Sequence, residues 1–172
     1  MSLDARIKKL AKGLSAQAAA DAFVRSREDP QSVSPADRDK AAEFEATVEA
    51  MFLMAAVDGD VSEQELAQLS ASVDAFSALE NRRSLDCGPL LSKMNTLLAS
   101  DGWSKRLHSV SERLKDREAR AFAFRLAAGV AFVDDVVAHA EAAALEAMAS
   151  ALTIDADESQ EILYDVRETL FE

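Results

Sequence analysis

The stretch Ala55-Ala56-Val57-Asp58-Gly59-Asp60-Val61-Ser62-Glu63-Gln64-Glu65-Leu66 decides how the chain reads. It ends one apolar-striped helix, crosses a tight turn with two aspartates, and opens a second helix with two glutamates in its first turn. A related stretch follows 76 residues later, Ala131-Phe132-Val133-Asp134-Asp135-Val136-Val137-Ala138-His139-Ala140-Glu141. Register is kept, with Asp58 opposite Asp134, Val61 opposite Val137 and Glu65 opposite Glu141. Repetition at a fixed period sets an architecture, and here it predicts an internal duplication of helix, acidic turn and helix.

Composition supports a helical reading. The 172 residues are 49% apolar, enough for a buried core, with only 5 glycines and 3 prolines. Abundant alanine with few breakers favours helix over sheet. No apolar run approaches the length of a membrane-spanning helix. Met1-Ser2-Leu3-Asp4-Ala5-Arg6 lacks the apolar stretch of a secretory signal, and the single cysteine, Cys87, gives neither a disulfide framework nor a zinc site. A cytoplasmic setting is the expectation. The net charge of −12 argues against nucleic acid and for cations or basic partners. Residues 1–14 run against that trend at +3, with Arg6, Lys8, Lys9 and Lys12 facing Asp4.

Outward from the turn, the periodicity predicts an all-α bundle of six to eight helices. Residues 3 to about 27 read as a basic amphipathic helix striped by Leu3, Ile7, Leu10 and Leu14. Such a helix can lie on a membrane surface or dock on the acidic body; docking is the plainer reading. With its linker it forms an N-terminal unit, 1–33, ahead of a helical domain at 34–172. Ser34-Pro35 opens the next helix as N-cap and first residue, and Phe44, Val48, Met51 (or Phe52) and Ala55 mark its buried side. Leu66, Leu69, Val73 and Phe76 stripe the following one. Further helices carry Leu90, Leu91, Met94, Leu97 and Leu98, then Trp103, Leu107, Val110 and Leu114. The segment 117–133 is apolar on two sides, Phe122, Leu126, Val130 and Val133 on one and Phe124, Ala128 and Phe132 on the other, as a central helix would be. Leu145, Met148 and Leu152, then Ile162 or Leu163, Val166 and Leu170, stripe the last two.

The acidic turns carry what chemistry the sequence offers. Asp58 to Glu65 resembles the back half of an EF-hand loop, but Met54 and Ala56 stand where the front carboxylates belong. What remains is a set of hard oxygen ligands, Asp58, Asp60, Glu63 and Glu65 in one turn and Asp134, Asp135 and Glu141 in the other, of the kind that suits Ca²⁺ or Mg²⁺. Local structure competes with this. Ser62 and Glu65 form a capping box, and carboxylates in a first turn complement the helix dipole. Capping does not account for Glu141, since Ala138 replaces the serine. His139, beside Glu141, and His108 read as surface residues, and Cys87 as a small buried one. No Gly-rich phosphate loop, nucleophile elbow or metalloprotease motif is present, so no enzyme is expected.

At the paired turns the chain resembles the tellurite-resistance TerB family, and is similar to the N-terminal domain of a membrane-anchored DnaJ-type co-chaperone. The likeness spans roughly residues 36 to 172. It implies a compact helical domain with an acidic surface that binds metal, and a role in bacterial stress response through partner proteins. Carried over, it implies Asp58, Asp60, Glu65, Asp134 and Glu141 as site residues. The second turn departs from the pattern, with Asp135 at the turn glycine and Val136 opposite Asp60. Two functions follow as expectations: a divalent-metal module if the turns converge, or a protein-interaction module whose acidic surface docks a basic partner without metal.

Overall fold

The structure, a computed structural model, describes residues 2–11, 22–23, 31, 34–59, 61–77, 88–132 and 137–171. Eight helices are present among them: α1 (Leu3–Ala11), α2 (Pro35–Ala55), α3 (Glu63–Ser77), α4 (Gly88–Asp101), α5 (Trp103–Arg113), α6 (Arg117–Ala131), α7 (His139–Ala151) and α8 (Ala156–Phe171). The chain is all-α, as its composition predicts. None of these helices is long and apolar enough to cross a membrane.

Local chemistry sets most of the helix starts. Ser34 Oγ accepts the Asp37 N–H at 3.2 Å, with Pro35 as first residue. Asp116 Oδ1 accepts the Glu118 N–H at 3.0 Å, and Asp155 Oδ1 that of Glu158 at 2.8 Å. Each satisfies an N–H that the helix itself leaves unpaired.

α2 and α6 make the most extensive helix pair and form the centre. The sequence predicts a single buried stripe on α2, yet every residue from Ala46 to Met54 is buried, Thr47 and Glu49 included. Those two polar residues break the apolar pattern, which is why the sequence shows a stripe where the fold has a helix enclosed on all sides. On α6 the two predicted rows are unequal. Phe124, Leu126, Ala127 and Ala128 are fully buried, whereas Phe122 and Val130 are half-buried and pack at the margin.

α1 packs against α3, α6 and α8. Ile7 and Leu10 are buried, and α1 crosses α6 at Gly129, where an added methyl would overlap Leu10 and press on Ile7 (3.1 Å). Two arginines fasten the crossing: Arg6 Nε donates to the Gly129 carbonyl at 3.1 Å, and Arg125 Nε to the Leu10 carbonyl at 3.2 Å while its Nη1 pairs with Asp165 of α8. The apolar face that a membrane surface would need is therefore inside the bundle, and Lys8 and Lys9 face solvent.

The ends of α2 and α6 and the starts of α3 and α7 recur at the same offset of 76 residues, Ala55 with Ala131 and Glu63 with His139. The copies differ in detail. α2 leaves through turns at 56–58, whereas α6 passes directly to extended backbone at Phe132. Residues 133–136 lie outside the described residues.

The position of Phe124 in the centre has a measurable consequence. Phe124→Ala is expected to lower stability by about 3–5 kcal/mol in urea unfolding, through the cavity it leaves. Phe122→Ala, at the margin, is expected to cost clearly less. Equal losses would put both side chains in the core.

Candidate functional site

At the end of α2 the backbone tightens. The Ala56 N–H donates to the Phe52 carbonyl at 2.9 Å, Val57 N–H to Met54 at 3.4 Å and Gly59 N–H to Ala56 at 3.0 Å. Gly59 has φ +120°, a conformation that side chains rarely adopt, so glycine is needed there. Because Val57 turns to Met54, the Leu53 carbonyl lacks its usual partner one turn on. The indole Nε1–H of Trp103, first residue of α5, donates to it at 2.8 Å. An unpaired helix-end carbonyl thus becomes the anchor of a second helix.

α5 then runs antiparallel along α2. One turn back from Leu53, the Glu49 carboxylate is 2% exposed and accepts a two-pronged contact from Arg106, Nε to Oε2 at 2.7 Å and Nη2 to Oε1 at 2.9 Å. Arg113 Nη2 also pairs with Oε1. Arg106 Nη1 reaches Asp101 at the end of α4, 3.2 Å away. Hydrogen bonding by Glu49 raises the Arg106 guanidinium still further above its ordinary range, so this group stays charged at any pH at which the protein is folded. Lys115 and Asp39, 3.8 Å apart, extend the same antiparallel register to the far end.

This arrangement leaves a cleft of about 510 Å³ beside the acidic turn. Ala56, Val57 and Gly59 of the turn line it together with Leu98 and Ala99 of α4. Trp103 with Gly102 closes the end of α4, and Ala144 brings in α7. Among the described lining residues no side chain is charged, and Asn95 is the polar one. The volume falls within the range of about 300–1,000 Å³ usual for ligand sites.

The acidic residues expected at the site fall into three groups. Asp58 lies between two lining residues, is exposed, and carries no ion pair among the described residues; Glu63 is also exposed and has no ion pair among them. Glu141 is partly exposed in the first turn of α7, one helical turn before Ala144. Glu65 is occupied locally. Its Oε1 accepts the Ser62 N–H and its own N–H donates to Ser62 Oγ, both at 3.2 Å, a complete capping box. Asp60, Asp134 and Asp135 lie outside the described residues, as does Cys87. Among the described residues no group of three or more His, Cys, Asp or Glu side chains is placed to hold a metal ion. The carboxylates described therefore do not by themselves make a Ca²⁺ or Mg²⁺ site. Val61 is buried and Val137 partly so, which explains the apolar position shared by both turns as a core contact. His139 is exposed, and His108 pairs with Glu112 one turn away at 3.3 Å.

Sequence reasoning misses the Glu49 cluster and the cleft. A signal for the first exists, since Glu49 is a carboxylate inside the apolar run Val48 to Met54, and Arg106 and Arg113 are two helical turns apart on one face. The cleft has no such signal, because its described lining comes from three stretches far apart in the chain, residues 56–59, 95–103 and 144.

Comparison with protein-family models, with curated proteins and with solved structures finds no match. The resemblance to the TerB family rests on the paired turns alone.

The capping box separates structural from functional carboxylates. Glu65→Gln is expected to leave stability within about 0.5 kcal/mol, since glutamine closes the same box, whereas Ser62→Ala is expected to cost about 1 kcal/mol in thermal or urea unfolding. A large loss from Glu65→Gln would mean that its charge, and not its hydrogen bond, holds the turn.

Proposed function

We propose that this chain is a non-enzymatic protein-interaction module that docks a basic partner at its acidic turn. The observation that carries the reading is a cleft whose described lining is uncharged, with Asp58 between two of its lining residues in the chain and Glu141 one turn before a third, neither ion-paired among the described residues. Acidic groups beside an apolar depression favour a partner that brings both cations and apolar surface, and charge complementarity of this kind speeds and selects encounters. The overall charge of −12 acts in the same direction. A scaffold or co-chaperone-type role, in a bacterial stress response such as tellurite resistance, is the setting that the family resemblance suggests.

A second reading, a divalent cation held by the acidic turns, draws support from the same unpaired carboxylates. It depends on Asp60, Asp134 and Asp135 to complete a ligand set, since a calcium site needs about six oxygens or more.

Titration with a peptide of lysine and alanine tests the first reading. Binding is expected to weaken with added salt and to fall about tenfold in the double variant Asp58→Asn/Glu141→Gln. A double variant that binds like the parent would remove these carboxylates from the function. Melting in Ca²⁺ or Mg²⁺ against NaCl of matched ionic strength tests the second: a selective rise is expected for a cation site, and equal shifts would reduce the cluster to screening.

A further inference from the structure

The cleft beside the acidic turn indicates what kind of basic partner would fit. The geometry points to an amphipathic helix of another protein, which seats bulky apolar side chains between the α2 turn and α4 and directs lysines or arginines towards Asp58 and Glu141. This rests on the docking reading above and specifies its ligand.

Three features carry it. The described lining is mostly small and apolar, with Ala56, Val57, Leu98 and Ala99 among it, and its volume of about 510 Å³ leaves room for large side chains from outside. Trp103 is held by its bond to the Leu53 carbonyl, and Glu49 fixes its helix, so the aromatic end wall is preorganised (2.8 Å). Preorganised aromatic surface loses little entropy on binding. Charge comes next to the lining in the chain: among the described residues Asp58 stands between lining residues Val57 and Gly59, and Glu141 one turn before Ala144. Asp101, beside Gly102, is partly neutralised by Arg106 at 3.2 Å and adds less.

The mode of recognition follows from what surrounds the cleft. The described residues contain no strand whose edge an extended peptide could join, and Trp103 is the one aromatic among the described lining residues, against the several that line grooves for proline-rich ligands. A helix laid into a groove, reading out through apolar anchors spaced by one turn, is the remaining common mode. A second copy of this chain is a poor occupant. Two bodies of charge −12 repel, and the basic helix of the described residues, α1, has its apolar stripe buried within its own bundle.

Trp103 is the single tryptophan, so its fluorescence reports on the cleft alone. The test uses the full chain and three synthetic helices: leucine on one face with lysine on the other, the same pattern with glutamate for lysine, and alanine with lysine. The leucine–lysine helix is expected to shift Trp103 emission saturably and to bind at least about tenfold more tightly than the alanine–lysine helix. Ala99→Phe, which fills the cleft from an exposed position, and Ala99→Lys, which places a cation in it, are each expected to abolish that advantage while melting stays close to the parent's. Equal binding of the leucine–lysine and alanine–lysine helices, unaffected by either variant, would overturn the anchor inference and leave acidic docking standing. Failure of both lysine peptides to bind would overturn both readings. Tight binding of the leucine–glutamate helix would overturn the charge complementarity. Self-association of the chain that Ala99→Phe abolishes would make the occupant a second copy and overturn the proposed partner.

Discussion

A carboxylate with no access to water must be met by cations, and Glu49 imposes that constraint on the whole of this fold. An ionised group removed from solvent costs several kcal/mol unless it is paired and hydrogen-bonded. Glu49 sits in the most enclosed helix of the bundle, so its partners must come to it. Arg106 meets it with a planar, two-pronged contact that fixes direction as well as distance, and Arg113 meets it from the next two turns of the same helix. The attraction is largely offset by desolvation, so the pairing contributes less to net stability than to register. α5 can lie along α2 in only one way that satisfies the buried charge.

That register carries through to the surface. With Arg106 on Glu49, Trp103 falls opposite Leu53, where α2 has left a carbonyl unpaired by tightening into its terminal turn. The indole fills that vacancy, and the turn, α4 and α7 then bound a cleft that no single element could form. The acidic turn matters in this arrangement because it does two things at once. Its glutamate Glu65 forms a capping box that starts α3, while Asp58, next to the lining in the chain, is exposed and has no cation among the described residues. One short segment thus ends one helix, begins another and brings an exposed carboxylate beside the cleft lining in the chain.

Much of the fold is legible in the sequence because helices announce themselves locally. Ser34-Pro35, Asp116 and Asp155 mark starts, Gly59 marks an end, and stripes such as Leu145, Met148 and Leu152 are buried as their spacing requires. The repeat of helix ends at a constant offset is equally visible. What escapes is whatever depends on contact between distant elements. Glu49 reads as a break in an apolar pattern until Arg106 and Arg113 are brought to it. Gly129 reads as a weak point in a helix until Leu10 is laid across it. Phe122 and Phe124 look equivalent by periodicity, and only the neighbours of α6 make the second one central. For the site, the sequence indicates the acidic turn and nothing of the cleft: Asp58 and Glu141 are chain neighbours of its lining, Glu65 serves the backbone, and the lining is mostly small or apolar residues that carry no chemical signature.

The dependence of the cleft on the buried ion pair is most directly tested at the Trp103 indole N–H, a single resonance in nitrogen-edited NMR. Glu49→Gln keeps the shape of the side chain and removes its charge. The expected result is solvent exchange of that indole N–H at least about tenfold faster than in the parent, with amides in the centre of α6 still protected. Exchange unchanged in the variant, or raised only together with that of the α6 amides, would contradict the claim that Glu49 sets the position of Trp103 and through it the cleft.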